Sequence, residues 1–82
     1  MTELWQLLKT LEWDVKAYEI DPPIGGFLRW GAKVAVYNEG AESVLAEAGS
    51  PVIKEFYGKS RVEAVGKASY AMRSWLTKQQ AS

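Results

Sequence analysis

From Phe27 to Tyr37 the chain alternates without a break. Leu28, Trp30, Ala32, Val34 and Val36 fall on one side, and Phe27, Arg29, Gly31, Lys33, Ala35 and Tyr37 on the other. A period of two over this length is the mark of a β-strand whose successive side chains point to opposite faces. One side is apolar and the other mixed, so the strand is half buried, as in an antiparallel sheet covered on one face. Such a strand cannot stand alone. The rest of an 82-residue chain must supply strands beside it and an apolar layer against its Leu28–Val36 side.

The flanking segments read as those parts. Residues 2–12 form an amphipathic helix, with Thr2 as N-cap, Glu3 at the positive end of the dipole, and Leu4, Leu7, Leu8 and Leu11 on one stripe. Trp13, Val15 and Ala17 then alternate with Asp14, Lys16 and Tyr18, which places a switch to strand near Trp13; a helix continuing to Glu19 is the rival reading. Asp21-Pro22-Pro23-Ile24-Gly25-Gly26 is a turn that stops regular structure. Asn38-Glu39-Gly40 ends the central strand. Residues 41–48 fit either a short helix or a strand, and Val52 to Tyr57 reads as a third strand. Ser60 and Glu63 make a capping box that opens the last helix. That helix carries Val62, Val65, Ala68, Met72, Trp75 and Leu76 on its apolar face, runs to about Lys78, and leaves Gln79–Ser82 to fray. The expected fold is α+β: a single domain over 1–82 in the order α-β-β-β-α, a small antiparallel sheet with two helices packed on one face.

Composition narrows the chemistry. Hydrophobic residues make up 48% of the chain, enough for a core without staples. Cysteine is absent, which removes disulfides, thiol catalysis and thiolate metal sites and fits a reducing cytoplasm. Histidine is absent too, and with it the usual proton shuttle and the commonest metal ligand. The serines therefore have no base to activate them, and Ser60 is a cap. Gly25-Gly26 and Gly31 match neither phosphate-loop pattern and read as turn glycines. Glu39, Glu42 and Glu47 lack the alternation of a calcium loop and read as a solvated acidic segment. No catalytic residue, metal or cofactor is expected. The start of the chain has no basic n-region of a signal peptide, and the most apolar stretch, Ile24 to Tyr37, is too short to span a bilayer and contains Arg29 and Lys33. The formal net charge is +0, but residues 1–50 carry eight acids against four bases and residues 51–82 two acids against six bases. A neutral total gives no general attraction to nucleic acid or membrane, while a local patch of either sign is allowed.

If Leu28, Trp30, Val34 and Val36 face the helices, then Phe27, Arg29, Lys33 and Tyr37 face away, with Lys16 and Tyr18 beside them. Aromatic side chains interleaved with bases suit a protein contact, a single-stranded nucleic acid, or a plain solvated face. The acidic Glu39, Glu42 and Glu47 extend the candidate surface toward a basic partner. Four tryptophans in so short a chain leave room for one that packs on a partner.

Two families share features with this chain. Gly58-Lys59-Ser60-Arg61-Val62-Glu63-Ala64, opening the last helix of an α-β-β-β-α order, resembles the double-stranded-RNA-binding domain. In that resemblance Arg61 keeps one phosphate-binding base, with Val62 and Val65 where the family has further lysines and Pro22-Pro23-Ile24 where it has its histidine loop; an RNA-binding reading of the chain would work through Lys59, Arg61 and Lys67. The run Ser60-Arg61-Val62-Glu63-Ala64 followed by Ala68, Ala71 and Trp75, after a short helix and a Gly/Trp-rich meander, is similar to the small "ABA sandwich" proteins of bacteriophages. It implies a phage-encoded protein that blocks a host enzyme or defence component such as CRISPR–Cas. The expected function is thus a non-enzymatic protein-binding module, with a small RNA-binding domain as the alternative and no membrane partner; the oligomeric state is open.

Overall fold

A computed structural model of the chain describes residues 4–81. The elements run α1 (Leu4–Thr10), β1 (Trp13–Ile24), β2 (Leu28–Val36), α2 (Ala41–Glu47), a 3-10 turn (Pro51–Ile53), β3 (Glu55–Gly58) and α3 (Arg61–Ala81). The three strands form one antiparallel sheet in the order β1-β2-β3. This is the expected small α+β fold, with a short helix between β2 and β3 where the sequence left helix and strand open. The expected N-cap Thr2, with Glu3, lies outside the described residues.

One face of the sheet carries the core. Ala32 and Val34 of β2 are buried together with Leu7 of α1, Ala41 and Leu45 of α2, Val52 of the 3-10 turn, and Ala64, Ala68 and Met72 of α3. Trp13, Val15, Trp30, Val36 and Phe56 close around them from the sheet. All three helices therefore share one side. Fully burying side chains such as Leu45, Met72, Val34 and Val52 stabilises the fold by about 1.5–3 kcal/mol each.

Four local expectations need correction. First, β1 runs through Pro22 and Pro23 to Ile24 instead of stopping at them. Proline is tolerated because β1 is an edge strand, whose outward side needs no N–H donor. The register shifts between Glu19 and Ile24, and the hairpin closes tightly over Gly25 and Gly26, both at positive φ. Second, Pro51–Ile53 is a 3-10 turn, so β3 is only Glu55–Gly58. Pro51 presets φ at the start of that turn and the Ser50 hydroxyl accepts from the Val52 N–H at 3.4 Å, which drops Val52 into the core. Third, Val62 is 82% exposed, whereas Ala64, Ala68 and Met72 form the buried stripe of α3. The small alanines let the helix sit close on the sheet: a Cβ on Gly58 of β3 would lie 2.7 Å from the Ala64 nitrogen. Fourth, Gly31 is no turn glycine but the middle of β2.

The capping box forms. The Glu63 N–H donates to the Ser60 hydroxyl at 3.2 Å, while the Glu63 carboxylate reaches back to the Lys59 N–H at 2.6 Å. Among the described residues no helix is long and apolar enough to cross a membrane.

Candidate functional site

Among the described residues nothing covers the face of the sheet opposite the helices, and strand register decides what lies on it. Lys16 of β1 pairs with Lys33 of β2, which pairs with Glu55 of β3; one row along, Tyr18 pairs with Gly31 and Gly31 with Tyr57. All of these partners point away from the core by strand alternation. Arg29 and Tyr37 continue the same side of β2. Of the expected residues, Lys16, Tyr18, Arg29, Lys33 and Tyr37 thus come together on one surface, and each is exposed.

Gly31 is what allows the central arrangement. The Tyr18 ring lies over it, so closely that a Cβ there would overlap the ring's Cζ. Crossing above Gly31, the Tyr18 hydroxyl donates to Glu55 Oε1 at 2.7 Å, and the Tyr57 hydroxyl donates to Glu55 Oε2 at 3.1 Å. One carboxylate is therefore held by two phenols from two strands. The Tyr18 bond, then the Tyr57 bond and the charge of Lys33, keep the Glu55 carboxyl below its ordinary range. In return the Tyr18 phenol is pushed up to about 12, chiefly by its bond to Glu55 and then by desolvation. The Tyr57 phenol is raised as well, again first by its bond to Glu55. A carboxylate so held is a weak base and a phenol so raised is a weak acid. The trio orders the face; it is not poised for proton transfer near neutral pH.

Around this centre the remaining residues take separate places. Lys16 stands with its Nζ 5.8 Å from the centre of the Tyr37 ring. Phe27 sits in the hairpin turn beyond β2, 54% exposed, with Lys59 Nζ 5.8 Å from its ring centre. Arg29 shares a shallow hollow with Glu19, Asp21 and Pro23. A second hollow runs from Tyr37 past Glu39 to Glu42 and Ser43, linking the open face to the start of α2. Glu47, at the other end of α2, lies outside it.

The bases expected of an RNA-binding domain lie about the end of β3 and the first turns of α3. Lys67 donates to the Tyr57 carbonyl at 2.7 Å and stands 3.9 Å from Glu63, so it closes the outer edge of β3. Lys59 turns to Phe27, and Arg61 is exposed on the first turn of α3. Among the described residues no three acidic, histidine or cysteine side chains gather as a metal-binding group.

Glu55 and Tyr57 are the site residues that sequence reasoning missed, because Tyr18 and Glu55 are 37 positions apart and meet only through register. The usable signal was Gly31: a glycine inside an otherwise regular strand marks a close approach. Against protein-family models, curated proteins and solved structures the chain has no match.

Proposed function

We propose that this chain is a small, non-enzymatic protein-binding module that docks through the open face of its sheet. The observation that carries the reading is the uncovered face itself, on which Lys16, Tyr18, Arg29, Lys33 and Tyr37 stand exposed around a fixed Tyr18–Glu55–Tyr57 centre. Tyrosine and arginine dominate the energetics of interfaces, and hydrogen-bonding a surface carboxylate from two sides lowers the entropy lost on docking. Lys16 directly opposite Lys33 is a like-charge pair that works against the sheet. A partner carboxylate placed between the two ammonium groups would relieve it, which favours an acidic element at this spot. Glu39 and Glu42, at the end of the same surface, suit a basic neighbour of that element. On the resemblance of the Ser60–Ala64 run to small phage proteins, the partner we propose is a host enzyme or defence component, such as a CRISPR–Cas protein, that the module blocks.

The test is capture of partners from bacterial lysate, with and without nuclease, by three forms of the chain. The expected result is one defined protein that survives nuclease, is lost with Arg29→Glu/Tyr37→Ala, and is retained with Tyr70→Ala/Arg73→Glu on the outer face of α3. Recovery that requires nucleic acid, or equal recovery by the two variants, refutes the proposal.

A further inference from the structure

The outer edge of β1 carries a second surface. β1 is the first strand of the sheet, and among the described residues no strand lies on its far side. Which backbone groups point outward follows from two contacts. The Tyr37 N–H donates to the Glu12 carbonyl at 2.9 Å, so Glu12, and by alternation Asp14, Lys16 and Tyr18, turn their backbone groups toward β2. Trp13, Val15, Ala17 and Glu19 then turn theirs outward. In agreement, the Val15 N–H has no strand to donate to and is taken by the carboxylate of its own neighbour, Asp14, at 2.8 Å. On the helix side Trp13, Val15 and Ala17 are only half buried, which leaves apolar surface along this edge.

We propose that this edge pairs with the same edge of a second copy of the chain, antiparallel, with Val15 opposite Val15 of the second copy. The charges select that register. It places Asp14 opposite Lys16 of the second copy and Lys16 opposite Asp14 of the second copy, two attractive pairs on the open face. Shifting the copies to the next register that keeps the outward groups facing one another sets Asp14 against Asp14 in one direction and Lys16 against Lys16 in the other. On the helix side the same register brings Trp13 to Ala17 and Val15 to Val15, covering the half-buried stripe. Pro22 and Pro23, which have no N–H to give, fall beyond the paired stretch. The Asp14 carboxylate, guarding the Val15 N–H in the single chain, is released to Lys16 of the second copy when the strand backbone takes its place. The product is a six-stranded sheet with both open faces on one side, so the docking surface is doubled.

The experiment is sedimentation equilibrium of the whole chain from micromolar to millimolar concentration, with circular dichroism to show that each variant is folded. The native chain forms a dimer. Asp14→Lys and Lys16→Asp each turn two attractive pairs into repulsive ones and weaken it roughly thirtyfold. The double exchange Asp14→Lys/Lys16→Asp restores it to within about threefold of the native chain. A native chain that stays monomeric throughout, or a dimer that neither single reversal weakens, overturns the proposal. So does a double exchange that fails to rescue. Failure here leaves the open-face reading untouched, because that reading is tested by Arg29 and Tyr37, which lie on β2 and beyond it.

Discussion

Two glycines at the two ends of the same packing problem should respond in opposite directions to the same substitution. Gly58 ends β3 directly beneath the first turn of α3. A Cβ built there meets the Ala64 nitrogen at 2.7 Å, the Glu63 Cβ at 2.9 Å and the Glu63 carbonyl carbon at 3.1 Å. Two of these are backbone atoms, so no rotamer change relieves the clash; the helix start has to lift. Overpacking of this kind costs about 1–3 kcal/mol. The movement also strains the bond from the Lys59 N–H to Glu63 that completes the cap. Against this stands the reduced freedom of the unfolded chain on replacing glycine, about 0.4–1 kcal/mol. The net expectation for Gly58→Ala is destabilisation by about 1–2 kcal/mol. Gly66 lies further along α3, exposed, with nothing within 4 Å of its would-be Cβ. There alanine meets no obstacle and gains helix propensity of about 1 kcal/mol. For a domain of this size each kcal/mol moves the melting temperature by about 4–8 °C. Thermal unfolding followed by circular dichroism should therefore show Gly66→Ala melting above the native chain and Gly58→Ala below it. A Gly58→Ala variant as stable as the native chain would refute the close seating of α3 on β3.

Further predictions concern the cap, the core and the tyrosine clamp. Ser60→Ala leaves the Glu63 N–H without its side-chain acceptor and should lower stability by about 1 kcal/mol, read as a few degrees in the same melting experiment; an unchanged melt would remove the hydroxyl from the account. Leu45→Ala empties a fully buried position and should cost about 2–5 kcal/mol in denaturant unfolding, with no change in slope. The clamp has a pH signature with two limbs. Glu55 is held below its ordinary range, so its contribution is present above that range and fades as the pH falls through it. The Tyr18 phenol is raised from 10.0 to about 12, so its contribution is intact below pH 10 and is lost as the pH rises through about 12. Tyr18→Phe should therefore delete a phenolate transition near pH 12 from the ultraviolet titration and move the Glu55 carboxyl, followed by carbon NMR, up toward 4.5. An unmoved Glu55 would mean that the bond between them does not form in solution.

The parts of this fold written in local sequence were readable, and the parts set by distant contacts were not. The alternation of β2 and the switch at Trp13 come straight from side-chain periodicity, which a strand half covered by helices imposes on its own residues. The Ser60–Glu63 box is likewise local, and the structure contains both of its bonds. Val52 misled because a buried, β-branched side chain after a proline suits a 3-10 turn that plunges into the core as well as it suits a strand. Val62 misled because a stripe drawn on periodicity alone weights valine above alanine, whereas close helix–sheet packing selects the small Ala64 and Ala68. Parity alone was enough to put Lys16, Tyr18, Arg29, Lys33 and Tyr37 on one surface. The opposition of Lys16 to Lys33 and the meeting of Tyr18 with Glu55 depend on register between strands, which no single segment encodes.

Whether the open face binds a protein is decided by the affinity of the captured partner for the Arg29→Glu/Tyr37→Ala variant. Both side chains are exposed and neither belongs to the core cluster, so the variant should melt like the native chain. Affinity should fall roughly a hundredfold or more, as expected when an arginine and a tyrosine that anchor an interface are lost. Unchanged affinity in a variant that is fully folded would contradict the account and move the binding surface off this face of the sheet.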